Sequence, residues 1–280
     1  MHLPYIPDSP AGFLKLTSQA ALAVGIRYLF FAGIAWLLGY VLFQKQWRKR
    51  KIVPHLPPSA EVWREIRYSA VTLLVFGLVG AATGFGARHG WTRLYFRIDQ
   101  RGWPWLWTSI ACAIVLHDTY FYWTHRLMHH PRLFRLVHRI HHLSHNPSPW
   151  ASYAFSPLEA FVEAGILPVA VMLIPMHPLA FFIFMGWQIT FNVLGHTGYE
   201  FHPRWLMDTW LKYVLNTPTN HVMHHETMRG NYGLYFNIWD RLMKTNQHAY
   251  EERFREVTSR PGSRHSASAA LPAPSPDLVA

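Results

Sequence analysis

Apolar residues in this chain come in long runs, not at the two-residue or 3.6-residue periods of a soluble domain. From Leu16 to Phe43 the only Asp, Glu, Lys or Arg is Arg27. That is enough for a membrane-spanning helix, which needs about 20 residues. Tyr68 to Ala87 is a second run, of twenty uncharged residues. Between the two, residues 54–67 begin polar and proline-rich and then read as a short interfacial helix. Gly102 to Leu116 opens a third run. Trp103, Trp105 and Trp107 stand at its start, as at a membrane interface, and its helix is expected to continue to about Thr124. Ala164 to Gly195 has no Asp, Glu, Lys or Arg in 32 residues. Pro175 and Pro178 break it into a helical hairpin with short arms. Residues 125–155 and 199–256 are polar, and the Ser, Ala, Pro and Arg tail from Ser259 is expected to be disordered.

The pattern predicts an all-α integral membrane helical bundle with about three spanning helices plus the hairpin. Three regions follow. Residues 1–104 carry membrane helices and interfacial segments, 105–256 form a catalytic domain, and 257–280 are a tail. Met1 to Ala11 lacks the basic start of a cleavable signal peptide.

Composition agrees. Half of the 280 residues are hydrophobic and 15% are charged, against about 25% in soluble domains. The mean hydropathy of +0.02 fits a chain that is part membrane and part polar. The net charge is +11, but the basic residues flank apolar runs, so anionic lipid headgroups are the expected partner and nucleic acid is not. Lys45, Arg48, Lys49, Arg50 and Lys51 follow the first run directly, which marks that side as cytoplasmic. Counting spans from there puts the polar segments on the same face. Arg88, Arg93, Arg97 and Arg101 fall opposite, and are expected in an interfacial helix whose basic side chains snorkel to the headgroups. The single cysteine, Cys112, excludes internal disulfides, CxxC redox chemistry and thiolate metal cages.

Nineteen histidines are present, fourteen of them between His117 and His225. Three clusters stand out: His125 and His129 as HxxxH, His138, His141 and His142 as HxxHH, and His221, His224 and His225 as a second HxxHH. Helical spacing puts i, i+3 and i+4 on one face, so each cluster can aim two or three imidazoles at one spot. Eight imidazoles exceed the four ligands of one zinc and suit two ions in a nitrogen-rich site. Imidazole binds iron, zinc, copper and nickel, so spacing alone does not choose the metal. His2, His55, His89 and His265 read as isolated polar residues. His130 lies off the His125/His129 face, and His177 falls in the hairpin turn.

The order HxxxH, HxxHH, HxxHH resembles the fatty acid hydroxylase/sterol desaturase superfamily. So do Asp118-Thr-Tyr-Phe-Tyr-Trp-Thr-His125-Arg126, Asn146-Pro-Ser-Pro-Trp150, Ser156-Pro-Leu-Glu159, Gly195-His-Thr-Gly-Tyr-Glu200 and the segment from Asn231 to Arg241. The likeness covers roughly 105–250. It implies a cytosolic histidine-rich cap with two iron ions per chain, O2, a lipid-like substrate (sterol, fatty acyl, carotenoid or related) and hydroxylation or desaturation. It also implies His196 as a further metal ligand. The family commonly has histidine where Ser156 stands and often glycine where Lys244 stands. Neither departure removes an expected ligand.

Asn192, four residues before His196, shares its face and is a candidate to hold a metal-bound water. Asp118 lies on one stripe with His125 and His129, where its carboxylate would accept an imidazole N–H and fix that ring. Glu159 and Asp240 are similar candidates. Trp123, Trp150, Tyr153, Tyr232, Tyr235 and Phe236 are candidate walls of a lipid channel. No GxGxxG or CxxC signals a flavin, nicotinamide or iron–sulfur domain, so a separate electron donor of ferredoxin or cytochrome b5 type is expected. The expected location is a bacterial inner membrane with the catalytic face cytoplasmic. Two other classes compete: a membrane zinc hydrolase, disfavoured because no HExxH is present, and a non-catalytic metal- or haem-binding membrane protein, which would not need three ordered clusters.

Overall fold

A computed structural model describes residues 9–261. His2, His265 and most of the expected tail lie outside the described residues. Helix α1, Pro10–Trp36, starts at Ser9, whose hydroxyl accepts the Gly12 N–H at 3.1 Å. It continues through a π-helical stretch, Leu37–Leu42. A short α2, Gln44–Trp47, follows. Helix α3 spans Ser59–Arg88 without interruption. The interfacial helix expected over 54–67 is therefore not separate: Ser59 to Arg67 are the first turns of α3. Glu65 is buried and one of its oxygens accepts from the Ser148 hydroxyl, which ties the polar start of α3 to the loop before Pro149.

α1 and α3 pack closely through small residues. A Cβ on Gly77 would stand 2.7 Å from Ala21 Cβ and 2.7 Å from the Thr17 carbonyl, and one on Gly80 would stand 3.3 Å from Ala20 Cβ. Close backbone approach of this kind is what joins helices in lipid. Leu22, Ile26, Leu29 and Phe30 point outward from α1, as lipid-facing positions should.

α4, Gly102–Met128, runs one turn beyond the expected end at Thr124. The hairpin is α7, Ile166–Leu173, and α8, Pro178–His196. Among the described residues three helices are long and apolar enough to cross a membrane: Pro10–Leu42, Ser59–Arg88 and Pro178–His196. The hairpin's return arm is thus among them, and α4, which runs between the same two ends, is less apolar because its inner half carries buried polar groups, His117, Asp118 and His125. Leu106, Ile110 and Ala113 of α4 form one core with Ile166, Ala170, Ala180 and Phe184 of the hairpin. Tyr28, Ala32, Tyr153, Phe155, Ile189 and Val193 form a second.

The segment from 89 to 101 is not a helix beyond a 3₁₀ turn at Ile98–Gln100. It is held to the hairpin turn by Arg93 N–H to Val171 O at 2.8 Å and Tyr95 N–H to Met176 O at 3.1 Å. At the other end, Ile52 N–H donates to Gly198 O at 2.9 Å and Glu200 N–H to Arg50 O at 2.9 Å. The basic segment and the chain just after His196 therefore share one end of the bundle. Lys45, Arg48 and Lys49 are exposed there, but Lys51 is buried. Its Nζ donates to Asn146 Oδ1 at 3.1 Å and faces the rings of Tyr40 and Tyr199. Burial lowers the Lys51 ammonium to about 7.

The cap is built from α5, Pro131–Val137; α6, Pro157–Ala164; α9, Pro218–Thr227; α10, Ile238–Leu242; and α11, Tyr250–Ser259. α11 covers α9 with Tyr250, Phe254 and Val257, so ordered chain extends past the boundary expected at 256. Among the described residues there is no strand, only isolated bridges at Lys51/Tyr199 and Leu215/Phe236.

Candidate metal centre

Nine histidines converge into two groups. His125, His129, His138, His142 and His224 form one, and His141, His196, His221 and His225 the other; in each, the ligand atoms all lie within 4.8 Å of one another. All eight motif histidines and His196 are thereby brought together. Each HxxHH triplet, expected to aim at one spot, is divided instead. The i, i+4 pairs, His138/His142 and His221/His225, stay together, while His141 and His224 turn to the opposite group. The second cluster does not need a helix for this. It follows α5 as a turn and a 3₁₀ segment, His141–Leu143.

The Nε2 atoms face one another. His125 and His138 are 3.0 Å apart, His138 and His142 3.1 Å, His129 and His142 3.1 Å, and His129 and His224 3.1 Å. In the second group, His141 and His196 are 3.3 Å apart, His196 and His221 3.0 Å, and His221 and His225 3.2 Å. Nitrogen ligands about 2.1 Å from a shared ion are roughly 3.0–3.4 Å apart.

The opposite edge of the rings fixes their protonation. His125 Nδ1 donates to Tyr232 O at 2.9 Å, His224 Nδ1 to Gly230 O at 2.7 Å, and His196 Nδ1 to Asn192 O at 2.7 Å. A carbonyl only accepts, so these rings carry their proton on Nδ1 and present a bare lone pair at Nε2. His138 Nδ1 meets Glu159 Oε1 at 2.6 Å. Burial holds the imidazoles of His138, His141, His142, His221, His224 and His225 well below the usual range, so they stand neutral. Lone pairs facing at 3.0 Å repel unless a cation lies between them. The donor set fits metal ions in both groups.

The carbonyl-bearing loop is held by carboxylates. Asp240 accepts from Tyr232 N–H at 2.8 Å and Gly233 N–H at 2.7 Å. Asp118 accepts from Tyr235 N–H at 2.9 Å and Phe236 N–H at 3.1 Å. Asp118 thus grips the loop backbone, not an imidazole as its helical stripe suggested, because the loop that holds His125 and His224 packs against α4. The Asn192 amide donates to Ser152 O at 2.9 Å, so it is its main-chain carbonyl that orients His196. Ser156, where the family commonly has histidine, caps α6. Its hydroxyl accepts from Glu159 N–H at 3.1 Å and donates to Val137 O at 2.6 Å, which sets Glu159 against His138. Lys244 has φ 57°, a left-handed conformation that suits the family's glycine. His130 caps α5 and is exposed, and His177 caps α8, away from both groups.

A cavity of about 810 Å³ lies beside the centre. α1, α3 and α8 supply most of its apolar wall. At the histidine end it reaches Phe155, whose ring centroid is 5.2 Å from that of His141, and Asn192, the partner of His196. His117 also lines it and pairs through Nδ1 with the Tyr235 hydroxyl at 2.7 Å. None of the six aromatics proposed as channel walls lines it. Trp150 and Tyr153 pack in the second core instead.

Fold and site together define an integral membrane helical protein built around paired polyhistidine groups. The family described as fatty acid hydroxylase matches residues 110–245. Over these residues, just under half of the chain, it is similar to the fatty acid hydroxylase/sterol desaturase superfamily. It is 35% identical over 184 residues to the Delta(7)-sterol 5(6)-desaturase ERG3B of Gibberella zeae, covering 64% of this chain and 55% of that one. It is 29% identical over 247 residues to the Delta(7)-sterol 5(6)-desaturase erg3C of Aspergillus fumigatus, covering 81% and 72%. Mouse lathosterol oxidase is 27% identical over 190 residues, covering 67% and 62%. The chain spans just over half the length of the Gibberella zeae protein. No solved structure matches. These relatives are eukaryotic and lend no support to the bacterial inner membrane expected from the sequence. What stands is an integral membrane protein.

Proposed function

We propose that this chain is a membrane iron-dependent oxidoreductase that oxidises a C–H bond of a sterol-class lipid. It would hydroxylate or desaturate that lipid with O2 and two electrons from a separate donor. One observation carries the reading. Two sets of converging Nε2 atoms lie at one end of an apolar cavity inside a membrane bundle. Two iron ions bound there would supply the O2 chemistry that an inert C–H bond requires.

The protein's part is to hold and exclude. Nine histidines would hold the ions, five at one and four at the other. Glu159 and the carbonyls of Asn192, Gly230 and Tyr232 keep the Nε2 lone pairs aimed inward. The apolar cavity desolvates the lipid and places it against Phe155 and Asn192. The sterol class is favoured by the relatives, whose names specify sterols. Lys45, Arg48 and Lys49, exposed at the histidine end, support a cytoplasmic face where an acidic ferredoxin or cytochrome b5-type donor could dock.

The test is complementation in a eukaryotic cell lacking its Delta(7)-sterol 5(6)-desaturase. Chromatography of the sterols should show a new, O2-dependent oxidised product that His196→Ala and His125→Ala abolish. An unchanged sterol profile with the wild-type chain present in the membrane would refute the sterol reading. Purified protein should carry about two iron ions per chain, and a fully active preparation with one zinc would refute the iron assignment.

A further inference from the structure

Arg27 is the only Asp, Glu, Lys or Arg between Leu16 and Phe43. It sits near the middle of the span Pro10–Leu42. Its side chain is half-buried and lines the large cavity beside Val24, Phe30 and Phe31. Among the described residues it makes no hydrogen bond or ion pair, and its Nε and Nη2 are enclosed without a partner. A guanidinium at that depth is costly and ordinarily has a partner.

The other polar groups of the cavity are differently placed. Thr83 donates to Val79 O at 2.8 Å, Gln188 accepts from the Tyr153 hydroxyl at 3.4 Å, and Asn192 donates to Ser152 O at 2.9 Å. Glu163, the one carboxylate of the lining, lies a helical turn from Glu159 at the histidine end, and no ion pair joins it to Arg27 among the described residues. Arg27 is therefore a cation with open donors in an otherwise apolar wall. Guanidinium only donates and stays charged, so its complement is an oxygen acceptor.

We propose that Arg27 is the specificity-determining anchor of this cavity: it donates hydrogen bonds to the oxygen at the polar end of an amphipathic lipid. On the sterol reading above, on which this rests, that oxygen is the sterol hydroxyl. Holding one end of a rigid lipid fixes which carbon lies against Phe155 and Asn192. A lipid without the oxygen leaves the guanidinium unpartnered, so the cavity rejects it.

The experiment is equilibrium binding to the purified full-length protein in detergent, by displacement of a fluorescent sterol. Two competitors are compared, a sterol and its deoxy analogue. Wild type should prefer the sterol by roughly tenfold or more, the scale of one hydrogen bond to a charged group. Arg27→Met should bind the two alike, with its affinity for the deoxy analogue raised because no guanidinium is left unpartnered. Arg27→Lys should keep part of the preference. Wild-type preference in Arg27→Met would overturn the proposal. If Arg27→Met does not fold, Arg27→Lys decides: a preference reduced threefold or more supports the anchor, and an unreduced one overturns it. For a wild type that binds no sterol, direct binding of a labelled fatty acid is compared with that of its alkane. An Arg27-dependent preference for the acid would keep the anchor and remove the sterol reading. No binding of either lipid class by wild type would remove both.

Discussion

Glu159→Gln tests whether the contacts behind the histidines tune the metal ions separately. Glu159 Oε1 is 2.6 Å from His138 Nδ1, and the side chains are 1% and 2% exposed. Glutamine fills nearly the same volume, so the core around Ala160 and Ala164 is not emptied. The change acts on His138. Without the carboxylate the ring loses its charge-assisted acceptor and becomes a weaker ligand. If the amide donates to Nδ1, the proton moves to Nε2, which stands 3.0 Å from His125 Nε2 and 3.1 Å from His142 Nε2. Either way one lone pair of five is degraded.

Loss of such a partner typically lowers metal affinity about 10–100-fold, or roughly 1.4–2.8 kcal/mol at 1.4 kcal/mol per factor of ten. The loss should be confined to one ion, because His138 belongs to the five-histidine group and none of the other four histidines contacts Glu159. Metal-free protein titrated with Fe(II) or Co(II) against a competing chelator should show one weakened site and one within about twofold of wild type. Two sites weakened equally, or neither, would refute the separate grouping.

Asp118→Ala should destabilise the protein by about 1.5–3 kcal/mol, because the Tyr235 and Phe236 N–H groups lose the oxygen that accepts both, seen as a lower melting midpoint with metal affinity nearly kept. An unchanged midpoint with weakened metal binding would return Asp118 to the imidazoles. Lys51, lowered to about 7 by burial against an unfolded value near 10.4, gives a pH dependence. Between those values the unfolded chain binds more protons, so stability rises with pH from about 7 to about 10, and the cost of the buried charge is fully present below 7. Melting midpoints at pH 7 and 9.5 should show this rise in wild type, and a flatter slope in Lys51→Met; equal slopes would count against it. Lys244→Gly should stabilise by about 1 kcal/mol, because φ 57° is strained for lysine; a lower midpoint in denaturant would contradict the strain.

What was legible in the sequence follows from the range of the interactions. α1 and α3 were visible as uncharged runs, since lipid imposes its demand on every residue of a span. α4 was legible as a helix but not in its role: its apolar start resembled a span, and only packing shows that its inner half serves the histidines. The hairpin's return arm was underrated, because the proline break set its length and the bundle around it did not enter. The histidine clusters were legible because each fits within one turn. The carbonyls of Gly230 and Tyr232 were not, since every residue has a carbonyl and only the fold aims these two. Asp118 was misassigned because a helical stripe says which residues share a face and not what packs against it.

For His221, His224 and His225 on α9 the division between the two groups has a simple origin, already present in the spacing; His138, His141 and His142 reach the same division from a turn and a 3₁₀ segment. On an α-helix, i+4 lies about 40° from i, while i+3 lies about 60° off on the other side. Residues i+3 and i+4 therefore diverge by about 100°, wide enough to face different groups. His141 and His224 are the i+3 members, and both cross over. Crossing from two sides ties the groups together: His196 stands against both His141 and His221, and His221 against His225. Each HxxHH thus joins the two histidine groups and is not a three-toothed claw for one spot. The consequence is structural as well as chemical. Removing His141 or His224 takes one imidazole from one group while leaving the i, i+4 pair of the same motif intact in the other. A chain with HxxxH in place of either HxxHH would keep that pair and lose the bridge.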